Sequence, residues 1–383
     1  MKKGIAYLIL SLYTLIMSYY LYTHQYYNAD IEAYMGLVYK ANHPEMKIEE
    51  IHHKVYTELK DKNPKLFEVS VGREEEAIGE NSYYKTLSEN PKAYEEELQL
   101  FSVKPFYNFI NSIFFKMGFP ASTSTFLITI ISYILIVFLI FVFLSQILKS
   151  NFLALTLTLL LSLFKPLLDT SRHATPDALS CILLLLSIYF VARKRNLFVA
   201  TVLGMLCILT RPEYFIFYIL SLVVLYIFKN EFRIKTKELF FSLIYLFLSF
   251  ALIQYFNQIP WSVLFMNQFT KVQIYPISNP DPFNFHEYVS FVKSKIFFEF
   301  NTSYFVLLAI FIIVIADYKL VLKKNPKTIL FLSFMGIIYL TVFIRFLLFP
   351  ILVNRMMVGF YLVIILSLIA YQSSKKEIIQ SLP

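Results

Sequence analysis

Thr125–Leu148 reads TFLITIISYILIVFLIFVFLSQIL, an apolar stretch without one Asp, Glu, Lys or Arg. At 1.5 Å rise per residue it is long enough to cross the ~30 Å hydrocarbon core of a bilayer as an α-helix. Nine more apolar runs accompany it: Ile5–Leu21, Phe152–Leu168, Ala178–Ala192, Leu197–Thr210, Tyr214–Phe228, Leu239–Tyr255, Tyr304–Ala316, Thr328–Ile344 and Met356–Tyr371. The whole chain of 383 residues is 57% hydrophobic and only 16% charged, against about 25% charge in soluble domains. A soluble core has no room for so many Leu, Ile and Phe side chains. The fold expected is therefore an all-α polytopic membrane protein, a single body over residues 1–383. Ile5–Leu21 ends in Tyr19, Tyr20, Leu21 and Tyr22 rather than in the small residues of a cleavage site, so it reads as a retained first helix. Cys181 and Cys207 lie inside apolar runs and read as buried small hydrophobes, not as a disulfide framework.

The charge is divided along the chain. The net is +9, yet residues 24–104 hold 16 acids and 10 bases, a net of −6. Most of the remaining bases fall in short segments between apolar runs, the pattern of basic cytoplasmic loops rather than of a nucleic-acid binder. Five such clusters stand out: Lys2–Lys3, Arg193–Lys194–Arg195, Lys229 to Lys237, Lys319 to Lys327 and Lys375–Lys376. With all five on one side, an even number of crossings separates each neighbouring pair, and the runs supply four, two, two and two. About ten transmembrane helices follow, with both termini cytoplasmic. Residues 23–122 then form a large extracytoplasmic loop between the first and second helices. Within it Ile48, Ile51, Val55 and Leu59 repeat at helical spacing. Phe106, Phe109, Ile110, Ile113, Phe114 and Met117 form a wider stripe, suited to a helix in the membrane interface or to an ordinary packed loop helix. No internal repeat and no inverted pair of broken helices is visible.

Ionisable residues at a membrane boundary are costly, so their distribution carries information. On this topology the outer face collects Asp30, Glu32, Lys104, Arg172, His173, Asp177, Arg211, Glu213, Arg345 and Arg355, from four separate connections. Asp30 in the segment His24–Tyr34 has the chemistry of a general base acting on an acceptor hydroxyl. Glu32 joins it at one site if the segment is extended and points elsewhere if the segment is helical. Helix capping by Asn28 or Asp30 is the competing explanation. Thr175-Pro176-Asp177 and Arg211-Pro212-Glu213 both read as helix starts. Capping does not account for Arg172 or Arg211 near helix N-termini, nor for Arg355 before the last helix. An anionic phosphate or diphosphate group held in their planar forks would, as would snorkelling to lipid phosphates. The histidines show no paired metal-ligand spacing, so no metal site is assigned. There is no Gly-rich phosphate loop and no nucleophile elbow, and only 8 glycines in all.

The order of these features resembles the GT-C superfamily of membrane glycosyltransferases, which includes dolichyl- and polyprenyl-phosphate-sugar-dependent mannosyl- and arabinosyltransferases. The resemblance rests on Asp30 in Asn-Ala-Asp-Ile-Glu-Ala-Tyr, on Val103-Lys104-Pro105-Phe106-Tyr107 running to Gly118-Phe119, and on Thr175-Pro176-Asp177-Ala178-Leu179. Thr210-Arg211-Pro212-Glu213 and Asn354-Arg355 complete it. Asp30-Ile31-Glu32 stands where many relatives have adjacent acids, and Met356 stands where they have Tyr. The resemblance implies an inverting transfer of a hexose or pentose from a polyprenyl-phosphate donor to a glycan, lipid or protein acceptor at the outer face. It implies Asp30, with Glu32, as the catalytic acids, and Lys104, Arg211 or Arg355 as cations that stabilise the departing lipid phosphate. Arg172, His173, Asp177, Glu213 and Arg345 complete the expected binding set. The cofactor is unknown, a divalent cation being compatible with such a site. The expected location is a bacterial plasma membrane. Competing functions are a polysaccharide polymerase or another surface-glycan transferase, and a non-enzymatic transporter or flippase.

Overall fold

The structure is a computed structural model, and it describes residues 1–71, 80–257, 259–261, 263, 272–316, 321 and 325–380. It is 81% helix, and the described residues contain no β-strand. A helix satisfies all its own backbone hydrogen bonds, which is what a chain immersed in hydrocarbon requires. The elements in order are α1 (Lys3–Thr23), α2 (Ala29–Asn42), α3 (Ile48–Lys62), α4 (Pro64–Ser70), α5 (Glu80–Glu89), α6 (Pro91–Phe101), α7 (Pro105–Lys116) and α8 (Ala121–Ile147). They continue with α9 (Asn151–Ser162), α10 (Lys165–Arg172), α11 (Asp177–Tyr189), α12 (Leu197–Thr210), α13 (Tyr214–Ile227), α14 (Lys229–Phe232) and α15 (Thr236–Phe256). The last four are α16 (Phe285–Thr302), α17 (Phe305–Ile315), α18 (Pro326–Leu348) and α19 (Asn354–Gln380).

All ten apolar runs are helical. Among the described residues five helices are long and apolar enough to cross a membrane by themselves: α1, α8, α15, α18 and the Asn354–Ser374 part of α19. Two further pairs qualify only jointly, α9 with α10 and α16 with α17, and they bend by 57° and 60° at their breaks. The chain is thus a multi-pass membrane protein with five to seven candidate spans, and α12 and α13 are shorter apolar helices. The second bend was hidden in the sequence because α16 is mixed in polarity and reads as loop before the run at Tyr304. Of the basic clusters, Lys319, Lys323 and Lys324 lie outside the described residues, as do the side chains of Lys375 and Lys376.

The described residues of 23–122 form six helices, α2 to α7. The helical spacing in α3 is realised: Ile51, Val55 and Leu59 are buried, each worth roughly 1.5–3 kcal/mol over exposure. α2 packs against α3, α6, α7 and α8, and so ties this region to the bundle. Gly36 makes the close approach of α6 feasible, because a Cβ there would lie 2.7 Å from Leu98 Cδ2 and collide with the Tyr94 hydroxyl. Tyr94 Oη instead donates to the Glu32 carbonyl at 2.6 Å. α7 buries Tyr107 and Asn111 and exposes Phe109, Ile113 and Met117.

Candidate active site

The connection after α1 is fastened before α2 begins. Tyr26 N–H donates to the Arg172 carbonyl at 2.8 Å, and Arg172 Nε donates back to the His24 carbonyl at 2.7 Å. The Arg172 guanidinium also lies 3.7 Å from the Tyr26 ring centre. His173 Nδ1 is 2.7 Å from the Asp169 carbonyl oxygen. Arg172 and His173 therefore hold backbone in place and do not line the cavity described below, contrary to the binding role expected of them.

This clamp delivers Asp30 into the first turn of α2. Its Oδ2 accepts from Arg355 Nη2 at 2.6 Å and from Asn28 Nδ2 at 2.5 Å. Burial alone would push the Asp30 carboxyl up, but the Arg355 and Lys104 charges outweigh it and hold it below the usual carboxylate range. Glu32 parts company with Asp30 because the segment is helical: two residues at about 100° each turn its side chain to the far face. Glu32 is 3% exposed, its carboxyl oxygens make no hydrogen bond of normal geometry among the described residues, and it faces the interior of the loop helices beside Tyr56, Glu97 and Ser70, whose nearby hydroxyl only partly offsets the cost of burial. Burial pushes it up to about 8, with the nearby Asp30 and Glu97 charges adding to the rise. A catalytic role at the same site is not compatible with this orientation.

The other charged residues converge on Asp30. Asp177 opens α11; its Oδ2 accepts from Thr175 Oγ1 at 2.9 Å, and its Oδ1 accepts from Arg211 Nη1. Thr175 thus bonds the Asp177 carboxylate instead of capping the helix through its backbone, and Pro176 occupies the N-cap. Glu213 Oε1 accepts from Arg211 Nε at 2.8 Å and pairs with Nη2 at 2.6 Å. Burial opposes its ionisation, yet the Arg211 and Arg345 charges prevail and hold it at about 2. Arg345 donates through Nη1 to the Ile351 carbonyl at 2.8 Å and lies 4.7 Å over the Phe349 ring. Lys104 Nζ donates to Tyr34 Oη at 2.8 Å and sits 4.5 Å over the Phe101 ring.

Helix polarity corrects one premise drawn from the sequence. Arg172 and Arg345 lie in last turns, and Arg211 is a C-cap, where helix dipoles welcome cations. Only Arg355 stands in a first turn, that of α19. An anionic ligand is accordingly not needed to explain Arg172 or Arg211, and the second is already neutralised by Asp177 and Glu213.

What remains unmatched is more specific. Arg345 Nε lies 3.9 Å from Glu213 Oε1 and Arg355 Nη1 lies 3.6 Å from Asp177 Oδ2, both beyond hydrogen-bond length. Both atoms are buried and make no hydrogen bond among the described residues. Lys104 has no carboxylate within ion-pair distance among those residues. Burial, with the Arg211 charge, pulls its ammonium down to about 8. Seven of the ten expected residues, namely Asp30, Lys104, Asp177, Arg211, Glu213, Arg345 and Arg355, line one cavity of about 560 Å³. Its remaining wall is largely apolar and aromatic, with Phe215, Phe250, Trp261, Leu348 and Phe349. Sequence reasoning missed these residues and Tyr34: Phe215 and Phe250 sit in apolar runs and the others in the connections between them, and in neither place does an apolar or aromatic side chain carry a local sign of facing a cavity. No group of three or more His, Cys, Asp or Glu among the described residues is arranged to hold a metal ion.

A cavity that, among the described residues, has buried guanidinium donors without hydrogen bonds, an ammonium that meets no carboxylate, an ionised carboxylate and an apolar flank has the chemistry for an anionic headgroup carrying a lipid chain. Comparison with known proteins adds nothing to this: no family model, no curated protein and no solved structure matches the chain.

Proposed function

We propose that the protein is a GT-C-like inverting glycosyltransferase. It takes a sugar from a polyprenyl-phosphate donor and passes it to a glycan, lipid or protein acceptor at the outer face of a bacterial plasma membrane. The observation that carries this reading is the pair of buried guanidinium donors that make no hydrogen bond among the described residues, Arg345 Nε and Arg355 Nη1, together with the Lys104 ammonium, which meets Tyr34 Oη but no carboxylate among those residues, around the cavity that Asp30 also lines. A phosphate oxygen would satisfy these donors, and buried charge-assisted bonds of this kind are the strong ones. The aromatic and aliphatic wall suits the first isoprene units. The topology that goes with this reading has ten crossings, with both termini on the side opposite the cavity. Arg193 to Arg195, Lys229 to Lys237 and Lys327 all fall at that opposite end, as the positive-inside rule asks.

In the reaction, the acceptor hydroxyl oxygen attacks the anomeric carbon from the face opposite the phosphate. The new C–O bond forms with inversion as the bond to the phosphate oxygen breaks, and the electron pair leaves on the lipid phosphate. Arg345, Arg355 and Lys104 stabilise that charge as it develops. The acceptor proton goes to the Asp30 carboxylate. Held by Arg355, Asp30 is a weak base. A donor phosphate that draws Arg355 toward itself frees Asp30 and raises its basicity at the moment it is needed. The test is transfer of labelled sugar from polyprenyl-phosphate hexose and pentose donors by membranes containing the wild-type or the Asp30→Asn protein. Transfer by wild type and its loss with Asp30→Asn, at equal membrane insertion, supports the reading. Normal transfer by Asp30→Asn sinks it.

A further inference from the structure

The helices that build the charged cluster carry a second cavity at their other ends. α11 and α19 start at the cluster with Asp177 and Arg355 and reach this cavity with Ser187 and Ser374. α12 and α18 run the opposite way, from Leu197 and Lys327 here to Arg211 and Arg345 there. Lys327 and Arg345 terminate the same helix, roughly 27 Å apart at 1.5 Å per residue, which is close to one hydrocarbon thickness. The two cavities are thus separate sites at opposite bilayer surfaces.

The second cavity is about 350 Å³ and mostly apolar, with Phe217, Leu222, Leu246, Leu330 and Phe334 among its walls. Arg193 and Lys327 line it, and none of its described lining residues is acidic. Neither cation has an ion-pair partner among the described residues. Arg193 is braced 5.4 Å from the Phe143 ring centre. Inside, Ser221 Oγ is buried and makes no hydrogen bond among the described residues.

We propose that this cavity binds an anionic glycerophospholipid, with one acyl chain between the helices and the phosphate on Arg193 and Lys327. The apolar wall calls for a hydrocarbon chain. The volume, near the low end of the roughly 300–1,000 Å³ of small-ligand sites, limits it to one chain. Two cations without a carboxylate call for an anionic head, and they lie at the depth where headgroups reside. The Ser221 hydroxyl is a donor for the ester carbonyl of the inserted chain. The inference holds whether or not the first cavity is a transferase site.

The test uses the full-length protein in nanodiscs of mixed phosphatidylglycerol and phosphatidylcholine, with retained lipid read by native mass spectrometry after release into detergent. Wild type is expected to retain phosphatidylglycerol roughly tenfold over phosphatidylcholine, as two surface cations allow. Arg193→Gln/Lys327→Gln brings the ratio near parity, and the exposed single change Lys327→Gln moves it part of the way. Lys194→Gln/Arg195→Gln, which removes equal charge beside the cavity, leaves the ratio unchanged. Ser221→Phe, which fills the cavity, releases the bound lipid. Parity in wild type, equal loss in the Lys194/Arg195 control, or retention by Ser221→Phe overturns the proposal. So does displacement of the phosphatidylglycerol by added polyprenyl phosphate, which would make this a carrier-lipid site.

Discussion

Glu32 is the residue whose replacement has the most fully determined consequence. Its carboxyl is buried, its oxygens lack hydrogen-bond partners among the described residues, and it is pushed up to about 8 from an ordinary 4.5. In the unfolded chain the group loses its proton near 4.5, while in the folded protein it keeps it to about 8. Between those limits the folded state binds one proton more, so its stability falls as pH rises. At about 1.4 kcal/mol per pH step, the loss at about pH 7 is of the order of 3 kcal/mol, and it levels off above about 8. Glu32→Gln cannot ionise and escapes this loss, although its amide carries a pH-independent burial cost of about 1–3 kcal/mol. The diagnostic is therefore how the difference between the two proteins changes with pH. Thermal midpoints in detergent micelles at about pH 5, 7 and 8.5 should show Glu32→Gln gaining on wild type throughout that range. Parallel pH curves would refute the reasoning. Sugar transfer should survive the substitution, since Glu32 faces away from the cavity; its abolition would restore Glu32 to the catalytic set.

Arg172→Ala removes the bond to the His24 carbonyl and the stacking on Tyr26, together worth about 1–3 kcal/mol, and should lower kcat several-fold by loosening the segment that aims Asp30. Arg172→Lys should not rescue it, because a point charge lacks the planar fork; full rescue would count against the clamp. Lys104 loses its proton near 8, so kcat/KM should decline as pH rises past that value, and Lys104→Arg should remove the decline. A pH profile unchanged by Lys104→Arg would place the limiting ionisation elsewhere. Gly36→Ala drives a methyl into Tyr94 and Leu98 and should destabilise the packing of α2 on α6 by about 1–3 kcal/mol, read as faster hydrogen exchange in both helices.

The membrane-embedded helices were legible because lipid imposes a length and a composition that no loop shares. The helical spacing of Ile51, Val55 and Leu59 in α3 was legible for a different reason, one buried face repeating every turn among charged residues. The number of crossings was not legible, because α9–α10 and α16–α17 bend at their breaks and apolar content alone does not say whether a bent pair crosses. The site was legible in its membership more than in its wiring. Counting charges on one face gave Asp30, Lys104, Asp177, Arg211, Glu213, Arg345 and Arg355. It also gave Arg172, whose side chain holds the His24 carbonyl, and His173, whose Nδ1 lies against the Asp169 carbonyl one turn back. The pairing of Asp30 with Arg355 joins the two ends of the chain, and no local spacing contains it. Helix ends misled for a related reason: Arg211 belongs to the C-terminus of α12, not to the start of α13, and Pro212 and Glu213, which do lead into α13, drew it to the wrong helix.

The central claim is that Asp30 takes the acceptor proton while Arg355 and its neighbours receive the lipid phosphate. Its most direct test is single-turnover sugar transfer from a polyprenyl-phosphate donor by purified Asp30→Asn protein, with donor binding measured in parallel. The account predicts donor binding within a few-fold of wild type and transfer lowered by about 10²–10⁴-fold, the contribution of a positioned general base. Transfer at the wild-type rate, with donor bound, would contradict it.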